Sequence, residues 1–236
     1  MSTNSIQSSG LASLEYDKSY YEEHKGEGLD YLCHGYWQES YARMVSDATL
    51  QNTYPSPRFF DGGCACGSIL QGFKKTGLYH QVLGIDLSEY MTTLGRRHFN
   101  FLKTEISAGS IDNIPLKDNS VTLVHSTQVL EHVPDEKIDP VLKEFARILV
   151  PGGRAFLCLD AIRHGESKEK YMGDPTHCNI KPVAYWTRKL FSLGLAFDVE
   201  SYDRYARSKY GPTREVDMSF FQQYPNWSAW TLIKLN

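Results

Sequence analysis

Three stretches of this 236-residue sequence carry residue types at spacings that could do chemistry. The first is Asp61-Gly62-Gly63-Cys64-Ala65-Cys66-Gly67, which follows the apolar Phe59-Phe60 and precedes Ile69, Leu70 and Phe73 at helical spacing. A strand, a glycine-rich turn and a helix start let main chain approach a nucleotide or nucleoside with no side chain in the way. Asp86 ends the next apolar run, where a carboxylate can accept both hydroxyls of a ribose. It could equally belong to a helix N-cap with Ser88.

The second stretch holds Gln128, Glu131 and His132, at i, i+3 and i+4, which share one face if the segment is helical. A carboxylate and an imidazole at that spacing can hold a divalent metal. The neutral amide of Gln128 is a poor ligand for a hard cation, so no metal is expected there. The plainer role is to orient the strand end, with His132 kept as a candidate catalytic group. The third stretch is Gly173-Asp174-Pro175-Thr176-His177-Cys178-Asn179, in a polar loop after the fifth strand. His177 could take the proton from a hydroxyl while Asp174 orients or charges it. The alternative is a turn capped by Asp174, against which His177 packs.

These residues need a frame, and the apolar patterning supplies one. Strand 58–61 leads to helix 67–76, and strand 81–86 to helix 88–98. A short strand near 104–108 and a loop to Asn119 follow. Strand 120–125 then leads to helix 135–148, and strand 153–160 to a helix near 181–193. Repeated βα units of this length build a parallel sheet with helices on both faces. A strand near 196–202, a polar aromatic insert and a closing strand, Trp227 to Lys234, complete the chain, the last strand antiparallel. Before the first strand lie Tyr-rich helices near 17–25 and 35–50, expected to cap a ligand or to pack on the main domain. Residues 1–12 are expected to form a disordered tail.

Composition narrows the function classes. The chain is 41% hydrophobic and 22% charged with a net charge of −3, so it can form a core and lacks the basic surplus of a nucleic-acid binder. No apolar run is long enough to span a bilayer and the N-terminus is polar, so a cytoplasmic location is expected. Five scattered cysteines suggest reduced thiols, and Cys64 and Cys66 lack C-x-x-C spacing. The stretch Tyr202 to Tyr210 interleaves basic and aromatic residues and is expected as a solvated loop, with cover for a phosphate or glycan as the alternative. A nicotinamide-cofactor reading fails on the turn itself, because G-x-G-x-x-G read from Gly63 meets Ala65 and Ser68.

Taken in order, six segments carry a family resemblance. They are Asp61 to Gly67, Gly84-Ile85-Asp86-Leu87-Ser88, Ala108-Gly109-Ser110-Ile111 through Leu116, Asp118-Asn119-Ser120-Val121, Val129-Leu130-Glu131-His132-Val133-Pro134 and Leu149-Val150-Pro151-Gly152-Gly153. Over residues 58–160 this resembles the class I S-adenosylmethionine-dependent methyltransferases, in particular their small-molecule group. The resemblance implies an α/β, Rossmann-like, seven-stranded and mostly parallel sheet of order 3-2-1-4-5-7-6, its last strand antiparallel. It also implies a helical cap over 13–53, an enzyme domain over 54–236, and S-adenosyl-L-methionine as cofactor. Asp61, Gly63, Cys64, Ala65 and Gly67 would then form the turn under the cofactor's methionine part. Asp86 would hold the ribose, with Leu87, Ser110 and Ile111 at the adenine and Gln128 at the methionine end. Ala65 departs from the usual central glycine, and Ser110 from the usual adenine-side acid. The Asp-Pro-Thr-His loop looks like those of methyltransferases acting on sugars and related hydroxyls, so O-methylation of a sugar or glycan precursor is expected. N-methylation of a small amine and a non-catalytic cofactor-binding partner subunit are the alternatives. The DNA-amine motif is absent, since Ser126-Thr127-Gln128 stands in its place.

Overall fold

The computed structural model describes residues 16–24, 35–49, 54–100, 105–207 and 227–235. The expected tail at 1–12, Cys33 and the insert before the last strand lie outside them. Two helices, α1 (Lys18–His24) and α2 (Gly35–Thr49), precede the sheet. Then β1 (Arg58–Gly62), α3 (Ser68–Lys75), β2 (Gln81–Asp86), α4 (Glu89–His98) and β3 (Ile106–Ala108) follow. The second half runs β4 (Val121–Thr127), α5 (Asp135–Ile148), β5 (Leu149–Asp160), α6 (Val183–Ser192), β6 (Leu195–Phe197), α7 (Val199–Arg207) and β7 (Trp227–Lys234).

The seven strands lie in the order β3-β2-β1-β4-β5-β7-β6. All pairings are parallel except those of β7, which runs antiparallel to both β5 and β6. The sheet order and the antiparallel last strand are as expected. The period-two alternation of side chains divides the core between two faces. Phe60, Val124 and Leu157 point to the face covered by α5 and α6, through Phe145, Ile138, Trp186 and Leu190. Phe59, Leu123 and Phe156 point to the other, against Tyr41, Met44 and Val45 of α2, Leu70 and Phe73 of α3 and Tyr205 of α7. The longer N-terminal helix is therefore part of a helical layer on the sheet. No helix among the described residues is long and apolar enough to cross a membrane.

The expected strand near 196–202 is corrected. Only Leu195–Phe197 is strand, and α7 begins at Val199. The cause is Asp198, whose carboxylate accepts from Ser201 N at 3.1 Å and Ser201 Oγ at 2.5 Å while Arg154 Nε donates to it at 2.7 Å. A side-chain cap on the first turn, fixed by an ion pair to β5, starts a helix where the apolar pattern read as strand. The basic-aromatic stretch from Tyr202 to Arg207 is thus helical, with Tyr205 buried, and residues 208–210 lie outside the described residues.

Register also builds a buried polar chain. Asp61 of β1 lies opposite His125 of β4, and His125 Nδ1–H donates to Asp61 Oδ1 at 2.7 Å. His125 Nε2 lies 2.8 Å from the Tyr41 hydroxyl and 2.9 Å from Thr127 Oγ1. The chain ties α2 to the strand end that carries the glycine turn. Tyr41→Phe leaves a buried imidazole nitrogen short of one partner, so it should lower stability by about 1–2 kcal/mol, read as a lower urea midpoint at unchanged m-value.

Candidate functional site

The glycine turn sits at the carboxyl end of β1, beside the point where strand order reverses between β1 and β4. Gly63 N and Cys64 N donate to Ile85 O at 2.8 and 3.1 Å, and Gly67 N to Cys64 O at 2.8 Å. Gly63, Ala65 and Gly67 all have positive φ, of 83°, 47° and 76°. Ala65 carries that left-handed conformation at a cost of about 1 kcal/mol, so its replacement of glycine is accommodated. Gly63 has no such freedom, since a Cβ there would lie 2.2 Å from Val129 Cγ2. Cys64 and Cys66 fill tight spaces. A Cβ on Gly84 would meet Cys64 Sγ at 2.8 Å, and one on Gly95 would meet Cys66 O at 2.1 Å. Burial pushes both thiols up, Cys66 to about 11, which makes them packing groups and not reactive thiolates.

Of the two roles its position suggested, Asp86 shows the one at the helix start with Ser88. Its Oδ1 accepts from Ser88 N at 2.8 Å and its Oδ2 from Ala65 N at 2.7 Å, so it pins the turn from below. Burial raises its pKa to about 6, opposed by those two hydrogen bonds. Each oxygen keeps acceptor capacity for a further donor. Gly109 N donates to Asp86 O at 2.8 Å, which brings half-buried Leu87, exposed Ser110 and buried Ile111 to the same edge. Asp112, which the sequence reading passed over, accepts from Lys137 Nζ at 2.6 Å. Lys137 and then Ser110 hold its carboxyl below the usual range.

Gln128 begins the other half of the site. It has a φ of 56°, its N–H donates to Cys158 O at 2.8 Å, and its buried amide nitrogen turns toward the Asp160 carboxylate. The shared helical face expected for Gln128, Glu131 and His132 is not formed. The helical segment is a single 3-10 turn, Leu130–His132, and left-handed Gln128 lies outside it. Glu131 and His132 instead meet the loop 171–180. Cys178 N and Asn179 N both donate to Glu131 O, at 3.1 and 2.9 Å, and Asp160 N donates to Glu131 Oε1 at 3.2 Å. Glu131 Oε2 and both amide atoms of Asn179 are buried without hydrogen-bond partners. Burial, then the nearby Asp160, pushes Glu131 up to about 8, and burial raises Asp160 as well.

Asp174 and His177 do not pair through their side chains. Asp174 Oδ1 accepts from Thr176 N at 2.8 Å and Thr176 Oγ1 at 2.6 Å, a turn in which the carboxylate bonds main chain two residues on. Thr176 Oγ1 in turn lies 2.8 Å from His132 Nδ1, so Asp174 acts on His132 through a hydroxyl. Despite partial burial, the Thr176 hydrogen bonds and the two histidines hold Asp174 below the usual carboxylate range. His177 Nδ1 lies 2.6 Å from Tyr171 O, and the His132 and His177 rings are 4.7 Å apart. Tyr20 of α1 donates to Asp174 Oδ2 at 3.4 Å and Tyr16 lies edge-on to His132, so the first helix borders the cluster. His125, which had no evident partner in the sequence, is held in the Asp61 network away from the cluster, and His164 is exposed.

Residues 60–157 match the methyltransferase-domain family. The match places a methyltransferase domain over those residues. It is 34% identical over 128 residues to an uncharacterized 37.1 kDa protein in transposon TN4556 of Streptomyces fradiae, an alignment covering 53% of this chain and 36% of that protein. It is 36% identical over 90 residues to demethylmenaquinone methyltransferase of Staphylococcus haemolyticus, covering 37% of this chain and 36% of the relative. Among solved structures, a putative methyltransferase in complex with the Trm112 activator of Haloferax volcanii superposes with a TM-score of 0.63 at 17% identity, covering 92% and 97% of the two chains. Geranyl diphosphate C-methyltransferase of Streptomyces coelicolor superposes with a TM-score of 0.61 at 16% identity, covering 83% and 76%. These methyltransferases share the fold; the aligned part is about a third of the two curated relatives.

Three features of this geometry bear on binding a cofactor. The turn is bare of side chains where a Cβ at Gly63 would collide, Asp86 offers a buried carboxylate, and the buried Gln128 amide turns toward Asp160. Gly63→Ala should weaken S-adenosylhomocysteine binding at least ~10-fold by calorimetry, through the clash with Val129. Because a carboxylate is the better acceptor for ribose hydroxyls, binding should also weaken as pH falls through about 6, where Asp86 takes up a proton. Asp86→Asn should bind weakly with no such step.

Proposed function

We propose that the protein transfers the methyl group of S-adenosylmethionine to a small molecule seated against the Gln128–Glu131–His132–Asp160–His177 cluster. One observation carries the reading. The glycine turn and the polar cluster meet at Val129, which packs on Gly63 and precedes Glu131 by two residues, so cradle and cluster form one continuous site. The bound cofactor supplies an electrophilic methyl carbon on a sulfonium. Gly63 to Gly67 would floor its methionine part, with Asp61 held behind the turn by His125. Asp86 would hold the ribose, Leu87, Ser110 and Ile111 the adenine, and Gln128 the amino-acid end.

The acceptor is proposed to be a hydroxyl. A hydroxyl must lose a proton to become an effective nucleophile, and the cluster is rich in groups able to activate it. His177 is the principal group and His132 the second, positioned by Asp174 through Thr176. Tyr20 of α1 and Tyr16, two residues before that helix, border the acceptor side. Two of the relatives are named for demethylmenaquinone and geranyl diphosphate, neither of them a sugar, and nothing in the comparisons supports the expected sugar or glycan acceptor.

Labelled methyl transfer to a panel of phenol, quinol, sugar and amine acceptors tests the reading. His177→Ala should retain S-adenosylhomocysteine affinity within ~2-fold while turnover on a hydroxyl drops roughly 10²–10⁴-fold. Failure of the wild-type chain to bind S-adenosylhomocysteine would sink the function, and unchanged turnover in the variant would remove the histidine from it.

A further inference from the structure

We infer that Glu131, His132 and His177 form a binding site for a divalent transition-metal ion of the zinc class. Their ligand atoms lie within 4.8 Å of one another, and the three come from two loops that meet at the carboxyl ends of β4 and β5. Donors bound tetrahedrally at ~2.0 Å lie roughly 3.3 Å apart, so closing on an ion asks for ~1–1.5 Å of side-chain movement.

The hydrogen bonds fix both imidazoles in the form a metal needs. Tyr171 O can only accept, so His177 carries its proton on Nδ1 and presents the Nε2 lone pair. The Thr176 hydroxyl gives its proton to Asp174 Oδ1, so it accepts from His132 Nδ1–H, and His132 likewise presents Nε2. Metal-bound histidines are usually held this way, with the second ring nitrogen donating to a carbonyl or through a carboxylate-linked group. An independent observation points to a ligand. Glu131 Oε2 is a buried acceptor with no hydrogen-bond partner, beside the Asp160 carboxylate, toward which the Gln128 amide turns. Among the described residues, neither carboxylate forms an ion pair with Lys or Arg. A cation between them removes that burial cost.

Two imidazoles and one carboxylate suit zinc, cobalt, manganese or iron better than magnesium or calcium. Three protein donors leave a coordination position open. The site rests on the proposed placement of the acceptor and changes the histidines' part in it. With both Nε2 atoms on an ion, His132 and His177 would act as ligands and not as the base. An acceptor's ionisable oxygen would take the open position and release its proton to solvent.

The test is metal binding, read apart from turnover. Chelator-treated full-length protein is titrated with Co²⁺, followed by its d–d absorption, and the Co²⁺ is then displaced with Zn²⁺. One ion per chain is expected. His132→Ala and His177→Ala should each weaken binding at least ~10-fold, and Thr176→Val, which releases His132, about 10-fold. Cys178→Ser, which removes the exposed thiol beside His177, should leave binding unchanged. S-adenosylhomocysteine affinity within ~2-fold of wild type certifies that each variant folds. Wild-type binding no tighter than that of the two histidine variants overturns the site, as does loss of binding in Cys178→Ser. If the chain binds S-adenosylhomocysteine and no metal, this inference alone fails. If it binds metal and no S-adenosylhomocysteine, the proposed function fails and the site stands.

Discussion

The Ala65 N–H donates to Asp86 across 2.7 Å, while Gly63 lies so close to Val129 that it has no room for a methyl group. These two contacts hold the 61–67 turn between the end of β2 and the loop after β4. The turn cannot move toward either without losing a buried hydrogen bond or meeting a side chain. Interiors packed this densely transmit displacement instead of absorbing it. The cradle for the cofactor and the loop that carries Glu131 and His132 are thereby set relative to each other by main chain. Tyr41, His125 and Asp61 extend the same fixing to the helical layer on the sheet.

The opposite side of the site is built on a different principle. The packing around the turn is nearly saturated, but the cluster at the ends of β4 and β5 leaves polar atoms of Glu131 and Asn179 buried without partners. Such groups are costly in a folded protein unless something meets them. Local geometry keeps them in place. Left-handed Gln128 breaks the chain out of β4, a single 3-10 turn presents Glu131, and the main chain at Cys178 and Asn179 docks on the Glu131 carbonyl. A rigid turn beside buried, unsatisfied polar atoms is what the proposed site requires, one part binding by shape and the other placing polar groups at the reacting atoms.

The sheet was largely legible because its signals are local. Apolar runs such as 81–86, the stop at Pro151-Gly152-Gly153 and the glycine turn each specify main-chain conformation through neighbours in sequence. Where a local signal was misread, another local group overrode it. Asp198 capped α7 and turned an expected strand into a helix. Likewise, a helical face for Gln128, Glu131 and His132 presumed a regular helix that the positive φ of Gln128 forbids.

By itself the sequence determined the α/β architecture, the bare turn and the acid at Asp86, since these depend on residue type and short spacing. Tertiary structure alone decided the partners. Asp174 turned away from His177 to Thr176, and through it reached His132; His125 found Asp61 by strand register; and His177 came to lie beside Glu131 and His132. Those pairings join residues far apart in sequence, and which of several polar side chains meet is settled only when strand ends and loops are brought together and buried polar atoms must share the available partners.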